Sequence, residues 1–225
     1  MKKYELLVDD TITFFGVQLF RIKALISFSG IEKGEVGGYI ASEKNLSQSG
    51  NAWVSGNARV SDNARVYGNA RVSGNAWVSG NAWVYGNARV SGNARVSDNA
   101  RVYGDAWVPD NARVYGDAWV SGNAWVYGNA RVSGNARVSD NARVYGDAWV
   151  YGDADYIVFK NTWSSGRYFT YTKSNRKWRV GCFYGSGAEL VEKAYKDSKK
   201  SGDFYKAYVE FVEKLEAIEN IHKEQ

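Results

Sequence analysis

The chain alternates hydrophobic and polar residues in a six-residue unit that repeats without insertion or deletion from Asn51 to Ala154. The consensus unit reads Gly or Asp, Asn or Asp, Ala, Arg or Trp, Val, and Ser or Tyr. Ala and Val are separated by one residue, and alternate residues of a β-strand share a face. The pattern therefore predicts one short strand per hexad, with Ala and Val inside, Arg or Trp outside, and a turn at the remaining positions.

The residue after each valine indicates how many hexads form one coil. It runs Ser55, Ser61, Tyr67, and the order Ser-Ser-Tyr then occurs twice more. This order predicts a coil of 18 residues and three hexads, a triangular cross-section, and about six coils. Three outer faces follow: Trp53, Arg71, Arg89, Trp107, Trp125 and Arg143; Arg59, Trp77, Arg95, Arg113, Arg131 and Trp149; and Arg65, Trp83, Arg101, Trp119, Arg137 and Asp155.

Over residues 51–154 these hexads resemble the hexapeptide repeat of left-handed parallel β-helices, the scaffold of many bacterial acyltransferases. Residues 20–25, 37–40 and 45–48 resemble the entry segment of its transferase branch. The Asn-Ala-Arg-Val repeats are also similar to those of proteins from phages and mobile elements of gut bacteria, so the resemblance implies an origin of that kind. The resemblance implies a left-handed all-β solenoid. It also implies an oligomer, often a trimer whose subunits pack through the flat faces of the solenoid.

The residues themselves offer little for catalysis. Acyltransferases of this superfamily typically use a histidine general base and a loop that leaves a coil. The only histidine is His222, near the C-terminus, and no loop interrupts residues 51–154. One histidine also cannot supply the ligands of a zinc enzyme. We therefore expect no catalytic residue, metal or cofactor, with an acyltransferase and a purely structural spacer as the alternatives.

The charge of the chain is concentrated outside the repeat. The net charge is +5, yet residues 51–155 carry ten Arg against nine Asp. Residues 76–108 and 118–150 are identical, and their offset of 42 residues rotates the copy onto the next face. Both observations favour interchangeable hexads whose Asp residues balance Arg, and they disfavour a long nucleic acid as partner. A repeat that itself binds a partner stays the alternative.

The sequence divides into residues 1–50, 51–155 and 156–225. The first part is predicted as a β cap and entry segment, with a turn at Asp9-Asp10; the third is predicted as an α+β cap. Three antiparallel strands are expected at 155–161, 167–173 and 177–184, then a helix from the capping box at Ser186 to Ser198. After a break at Ser201-Gly202, a helix over 203–220 should pack through Phe204, Ala207, Tyr208, Phe211, Leu215 and Ile218.

The third part also contains the predicted ligand site. Residues 156–188 hold six basic residues and interleaved aromatic rings, but no acid. Cations and rings on one sheet face are suited to phosphates and stacked bases. The site is predicted to comprise Arg167, Phe169, Tyr171, Lys173, Arg176, Lys177, Trp178 and Arg179. An oligomer contact and a face without a site are the alternatives, and Arg95 and Arg113 of the repeat are predicted to be dispensable for binding.

These observations together predict a non-catalytic binding protein whose rigid solenoid presents specific end caps. The resemblance implies a phage or mobile-element accessory or counter-defence protein, which would bind a host protein or an anionic nucleotide-type ligand. A homo-oligomer is expected, with a trimer favoured, because Trp is enriched in interface cores. The single Cys182 and the lack of a long apolar stretch lead us to expect a cytoplasmic protein without a membrane span.

Overall fold

Every hexad between Trp53 and Val150 forms a two-residue strand in the computed structural model, which describes residues 2–223. The chain divides into two compact units between Asp155 and Tyr156. The strands of the first unit are Tyr4–Phe14 (β1), Val17–Ala24 (β2), Val36–Ile40 (β3), Trp53–Val54 (β4), Arg59–Val60 (β5), Arg65–Val66 (β6), Arg71–Val72 (β7), Trp77–Val78 (β8), Trp83–Val84 (β9), Arg89–Val90 (β10), Arg95–Val96 (β11), Arg101–Val102 (β12), Trp107–Val108 (β13), Arg113–Val114 (β14), Trp119–Val120 (β15), Trp125–Val126 (β16), Arg131–Val132 (β17), Arg137–Val138 (β18), Arg143–Val144 (β19) and Trp149–Val150 (β20).

Strands 18 residues apart pair in parallel, which confirms the predicted coil. Arg59 pairs with Trp77, Trp77 with Arg95, and the same offset holds throughout the repeat. Three sheets result: a nine-stranded sheet in the order β1-β2-β3-β5-β8-β11-β14-β17-β20, a six-stranded sheet of β4, β7, β10, β13, β16 and β19, and a five-stranded sheet of β6, β9, β12, β15 and β18. The chain is thus a parallel β-solenoid of about six coils.

The interior of the solenoid is built from alanine and valine alone at the repeat positions. Ala52 to Ala148 and Val54 to Val150 are at most 1% exposed, which confirms the predicted alternation. The turns rely on the left-handed conformation: Gly74 has a φ of 68°, and a Cβ there would lie 2.9 Å from the carbonyl oxygen of Gly92 in the next coil. Tight contact between successive turns therefore explains the recurring glycine.

Two outward positions depart from the prediction. Trp53 is 1% exposed because the N-terminal segment folds over it, with the rings of Tyr4 and Phe28 at 6.4 and 5.5 Å. Asp155 does not continue the third face. It lies in the 3-10 helix Asp153–Asp155, where its carboxylate accepts hydrogen bonds from the backbone N–H groups of Tyr151 and Gly152 at 2.6 and 2.9 Å.

The aspartates of the repeat accept hydrogen bonds from backbone N–H groups and asparagine side chains and, within residues 2–223, do not pair with the arginines. Asp98 Oδ2 accepts from the Gly116 N–H at 3.0 Å, and Asp105 accepts from Asn87 at 2.9 Å at the end of a ladder of stacked Asn side chains. Among the described residues, no Asp of the repeat forms an ion pair. The predicted balance of Asp and Arg in the repeat is therefore one of number, ten Arg against nine Asp, and involves no direct pairing among the described residues.

The N-terminal residues form a hairpin that extends the nine-stranded sheet. β1 is one strand, so the predicted turn at Asp9-Asp10 is wrong; these residues lie in a bulge, where the register with β2 shifts between Leu7 and Thr11. β2 pairs with β3, and β3 runs parallel to β5. The 3-10 helix Glu43–Asn45 follows, and Asn45 donates to the carbonyls of Asp62 and Ala64. The entry segment thus pairs directly with the repeat.

Lys3 fastens the start of the chain to the first coil. It is 2% exposed, and its ammonium donates to the Ala52 carbonyl at 2.9 Å and lies 5.1 Å from the centre of the Phe28 ring. Burial, together with the positive charge of Arg71, lowers the pKa of Lys3 from 10.5 to about 8. Above pH 8 the folded chain has lost a proton that the unfolded chain still holds until about pH 10.5.

The folded state should consequently gain stability as the pH rises. We expect the unfolding free energy of the wild type, relative to Lys3→Met, to increase by about 2 kcal/mol between pH 8 and pH 10. Denaturant unfolding at several pH values measures this difference. Lys2→Met, which changes an exposed side chain, should keep the wild-type pH profile. Parallel profiles for the wild type and Lys3→Met would contradict the lowered pKa.

The second unit is a four-stranded antiparallel sheet with two helices. Its elements are Tyr156–Lys160 (β21), Tyr168–Thr172 (β22), Lys177–Val180 (β23), Phe183–Gly185 (β24), Gly187–Asp197 (α1) and Lys199–Lys223 (α2). The predicted third strand is therefore two strands, because Gly181, with a φ of 57°, turns the chain between Val180 and Phe183. The capping box at Ser186 is confirmed, since Ser186 and Glu189 bond each other's backbone N–H groups.

The predicted helix break at Ser201-Gly202 is wrong. Both residues lie inside α2, and a Cβ at Gly202 would approach the Tyr195 ring to 2.2 Å. The glycine is thus required by close packing of α1 on α2. The predicted packing stripe is also rotated: Tyr205, Val209 and Val212 are buried, whereas Phe204, Phe211 and Ile218 are 40–52% exposed. Neither helix of the described chain is long and apolar enough to cross a membrane.

Candidate functional site

The aromatic rings of the predicted C-terminal site lie in the core of the second unit. Phe169, Tyr171 and Trp178 are 1–3% exposed and pack with Leu190 and Val212 of the two helices. Strand alternation does place Phe169 and Tyr171 on one face, but the helices cover that face. The prediction that these rings stack on a ligand is therefore wrong, because an amphipathic helix pair needs the same apolar surface.

Helix carboxylates also approach most of the cations of this site. Lys173 pairs with Glu219 at 2.6 Å, Arg176 Nε lies 3.7 Å from Glu216, and Lys177 Nζ lies 3.9 Å from Glu189. Tyr171 donates a hydrogen bond to Glu216, which together with burial raises the pKa of Tyr171 above its usual range. Residues 156–188 contain no acidic residue, but the folded chain brings Glu189, Glu216 and Glu219 of the two helices close to these cations.

The two remaining predicted residues point elsewhere. Arg179 donates to the Cys182 carbonyl at 3.2 Å, which braces the turn between β23 and β24. Arg167 is exposed in the segment before β22. The structure therefore brings Phe169, Tyr171 and Trp178 together as core, joins Lys173 and Arg176 to α2, and leaves Arg167 apart from both groups.

A concentrated cationic surface lies instead on the nine-stranded sheet. Arg95, Arg113 and Arg131 are directly paired in register on β11, β14 and β17, so their side chains leave the sheet at the strand spacing of about 4.8 Å. Arg95 lies 5.9 Å from the Trp77 ring and Arg131 lies 4.7 Å from the Trp149 ring. Arg113, exposed between them, contacts neither a ring nor a carboxylate among the described residues.

The five-stranded sheet shows the contrasting arrangement. There Arg and Trp alternate, and Arg101 lies 5.1 Å from the Trp83 ring and 5.0 Å from the Trp119 ring. Arg137 completes the ladder at 5.0 Å from Trp119. Each cation–π contact stabilises such a face by roughly 0.5–1 kcal/mol. Like charges in register are destabilising instead, so three adjacent Arg side chains cost stability that the five-stranded sheet avoids.

The three arginines border a groove of about 410 Å³. Its other wall is the corner that follows the nine-stranded sheet, with Ser97 and Tyr115. Asp98 also lines the groove, but one of its carboxylate oxygens is held by the Gly116 N–H. The groove therefore combines three guanidinium groups, hydroxyl groups, one carboxylate and the rings of Trp77 and Tyr115 across successive coils.

Tyr115 differs from the tyrosines of the solenoid that stack on one another. Tyr67, Tyr85 and Tyr103 form a ladder in which neighbouring ring centres are 4.9 Å apart and nearly parallel. At the corner of Tyr115 the adjacent coils carry Ser97 and Ser133. In the described part of the chain Tyr115 stacks on no other ring. Half-buried Tyr115 thus lines the groove, with a serine where a tyrosine of the adjacent coil would otherwise lie.

Sequence reasoning missed this site although its signal was present. The 18-residue period already aligns Arg95, Arg113 and Arg131 on the second face, and no other face carries three Arg in succession. The overall charge of the repeat concealed the local excess, because its ten Arg are nearly matched by nine Asp residues, all of which lie outside the strands. His222, the only histidine, is exposed on the last turn of α2. Within residues 2–223, His, Cys, Asp and Glu side chains nowhere gather in a metal-binding group of three.

The parallel sheets and the 18-residue coil define the class: the chain is a β-solenoid repeat protein. The comparison with protein families agrees. A family model described as YdcK Beta solenoid repeat matches residues 52–68, 64–80, 82–97, 94–109, 124–138 and 136–152. The chain is similar to this family along those parts of the repeat. No curated protein matches the chain.

Proposed function

We propose that this solenoid is a non-catalytic binding protein that holds an anionic, nucleotide-type ligand in the groove beside Arg95, Arg113 and Arg131. The observation that supports this function most is the in-register stack of three arginines without a carboxylate partner. Guanidinium groups form paired, charge-assisted hydrogen bonds with phosphate, and a row of them suits consecutive phosphoryl groups. A ligand would also remove the repulsion among the three cations.

The ring of Tyr115 supports a nucleotide over a simple phosphate. Ser97 leaves a space one coil high beside the Tyr115 ring, and the tyrosine ladder shows that a planar ring fits at this spacing. A base stacked on an aromatic side chain contributes about 1–3 kcal/mol to binding. The phosphates would then lie along the arginines while the base fills the space beside Tyr115.

The phosphate contacts are tested by Arg113→Trp, with ATP and inorganic pyrophosphate as probes in calorimetric titrations. Hexads carry either Arg or Trp at this position, so the scaffold should tolerate the change. Loss of a hydrogen-bonded charge costs about 1.5–3 kcal/mol, which predicts at least tenfold weaker binding of both probes. Arg101→Trp on the five-stranded sheet is the matched control and should leave binding unchanged.

The base contact is tested separately by Ser97→Tyr, which places a ring in the space beside Tyr115. We expect this variant to lose affinity for ATP but not for pyrophosphate. Ser73→Tyr makes the same exchange at another corner and should bind both probes normally. If Arg167→Gln with Arg179→Gln abolishes binding while Arg113→Trp does not, the ligand site lies in the second unit and the proposal is wrong.

The biological role within this proposal rests on the sequence resemblance. A phage or mobile-element accessory protein with such a groove would act in counter-defence by sequestering a nucleotide signal. Occupation of a host protein is the second candidate role, and the continuous outer faces of Arg and Trp support it, since both residues are enriched at interfaces. Growth of phage in a defended host would separate the two roles. If the protein sequesters a nucleotide, phage with Arg113→Trp should grow less well than phage with Arg101→Trp, whereas equal growth would favour binding of a host protein.

A further inference from the structure

The sheet of the second unit ends in an open, apolar edge at β21. This strand reads Tyr-Ile-Val-Phe-Lys and pairs with β22 on one side. Within residues 2–223 no further strand pairs with its other side. Edge strands are commonly protected by a charge, a proline or a bulge. The one charge of β21 is the exposed Lys160 at its end, and the stretch Ile157–Phe159 has none of these devices, so the middle of this edge is suited to pairing with another strand.

An apolar stripe of α2 lies beside the same edge. Phe204, Phe211 and Ile218 recur at seven-residue intervals and are 40, 49 and 52% exposed. The Phe211 ring lies 6.3 Å from Phe159 of β21, and Phe204 stacks at 4.6 Å on Trp163, which follows β21. The strand edge and the stripe therefore form one continuous surface, which we call the β21/α2 surface.

We propose that the β21/α2 surface binds a second copy of this chain about a two-fold axis. Antiparallel pairing of β21 with the partner's β21 is self-complementary, as a two-fold contact requires. The seven-residue spacing is symmetric about Phe211. An axis at this residue places Phe211 against the partner's Phe211 and Phe204 against the partner's Ile218. The two four-stranded sheets would then join into one sheet of eight strands.

The charged residues that border the stripe also favour a second copy of the chain in this antiparallel arrangement. Glu210 and Lys214 are exposed one turn apart along the outer border of the stripe. Lys214 has no ion-pair partner in the described chain, and Glu210 pairs only loosely with Lys206 at 3.8 Å. Around an axis at Phe211, Lys214 approaches the partner's Glu210, and the reverse contact forms by symmetry. Opposite charges thus meet twice, whereas a parallel arrangement would align like charges.

Cross-linking tests the axis. Cys182 is exposed and is replaced first, by Cys182→Ser, so that introduced thiols are unique. In that background Phe211→Cys places two thiols at the axis, and mild oxidation should give a covalent dimer in high yield. Glu213→Cys, on another side of the same helix, should give no disulfide-linked dimer under the same conditions. Equal yields from both positions would overturn the proposed axis.

The assembly itself is tested by light scattering of the full chain over a range of concentrations. We expect a mass of about 50 kDa, twice the 25.1 kDa of the chain, and at least tenfold weaker association in Phe211→Glu with an unchanged circular dichroism spectrum. Val8→Glu changes an apolar side chain that is 71% exposed in the other unit, and it should not affect the mass. A monomer throughout, or a trimer insensitive to Phe211→Glu, would refute the dimer.

Discussion

Deletion of 15 residues from the solenoid should destabilise the protein more than deletion of 18. Removal of residues 74–91 excises one complete coil and joins Ser73 to Gly92, so that Arg71 pairs with Trp107. The remaining coils keep every hydrogen bond of the type formed between the Ser55 N–H and the Val72 carbonyl at 2.9 Å. Stability should fall by the contribution of one repeat, because such arrays sum terms between neighbours.

Removal of residues 74–88 instead joins Ser73 directly to Arg89. The new junction lacks the Gly, Asn and Ala of one turn, and the chain cannot bend between two sheets without a left-handed residue. We expect a loss of more than about 4 kcal/mol in unfolding free energy, as for other severe backbone changes. Denaturant unfolding of both variants measures the difference. Equal losses would show that hexads are not independent structural units.

A second large effect should follow from overfilling the core, with Ala100→Leu. Ala100 is 0% exposed and lies in a column of alanines contributed by successive coils. The added carbon atoms have no space, and overpacking of this kind costs about 1–3 kcal/mol. Since the neighbouring coils are held by their own alanines and valines, we expect the upper end of this range. Thermal and denaturant melts report the change.

The adjacent outward position is the matched control. Arg101→Trp removes contacts to Trp83 and Trp119 but adds a ring at a position where other hexads already carry Trp. The two lost contacts together contribute about 1–2 kcal/mol, and the added ring offsets part of this, so the net effect should stay within about 1 kcal/mol. A larger loss for Arg101→Trp than for Ala100→Leu would reverse the inward and outward assignment of the hexad.

The candidate site could be predicted only in part, because its side chains contact residues that are far away in the sequence. Cations and rings at 167–179 were visible in the sequence, but the helices that bury Phe169 and Trp178 contribute their apolar faces from residues beyond 186. Glu216 and Glu219, which approach Arg176 and Lys173, lie more than 39 residues away in sequence. Local composition therefore could not show which surface stays free for a ligand.

The sequence alone determined the solenoid, since each hexad specifies the same strand and turn, and 18-residue stacking follows from local geometry. It also placed Arg95, Arg113 and Arg131 on one face. Only the tertiary structure decided which of these features is accessible. It folded the N-terminal segment over Trp53 and buried the rings of Phe169 and Trp178 beneath the helices of the second unit. Exposure depends on contacts between distant segments, and a repeating pattern does not specify those contacts.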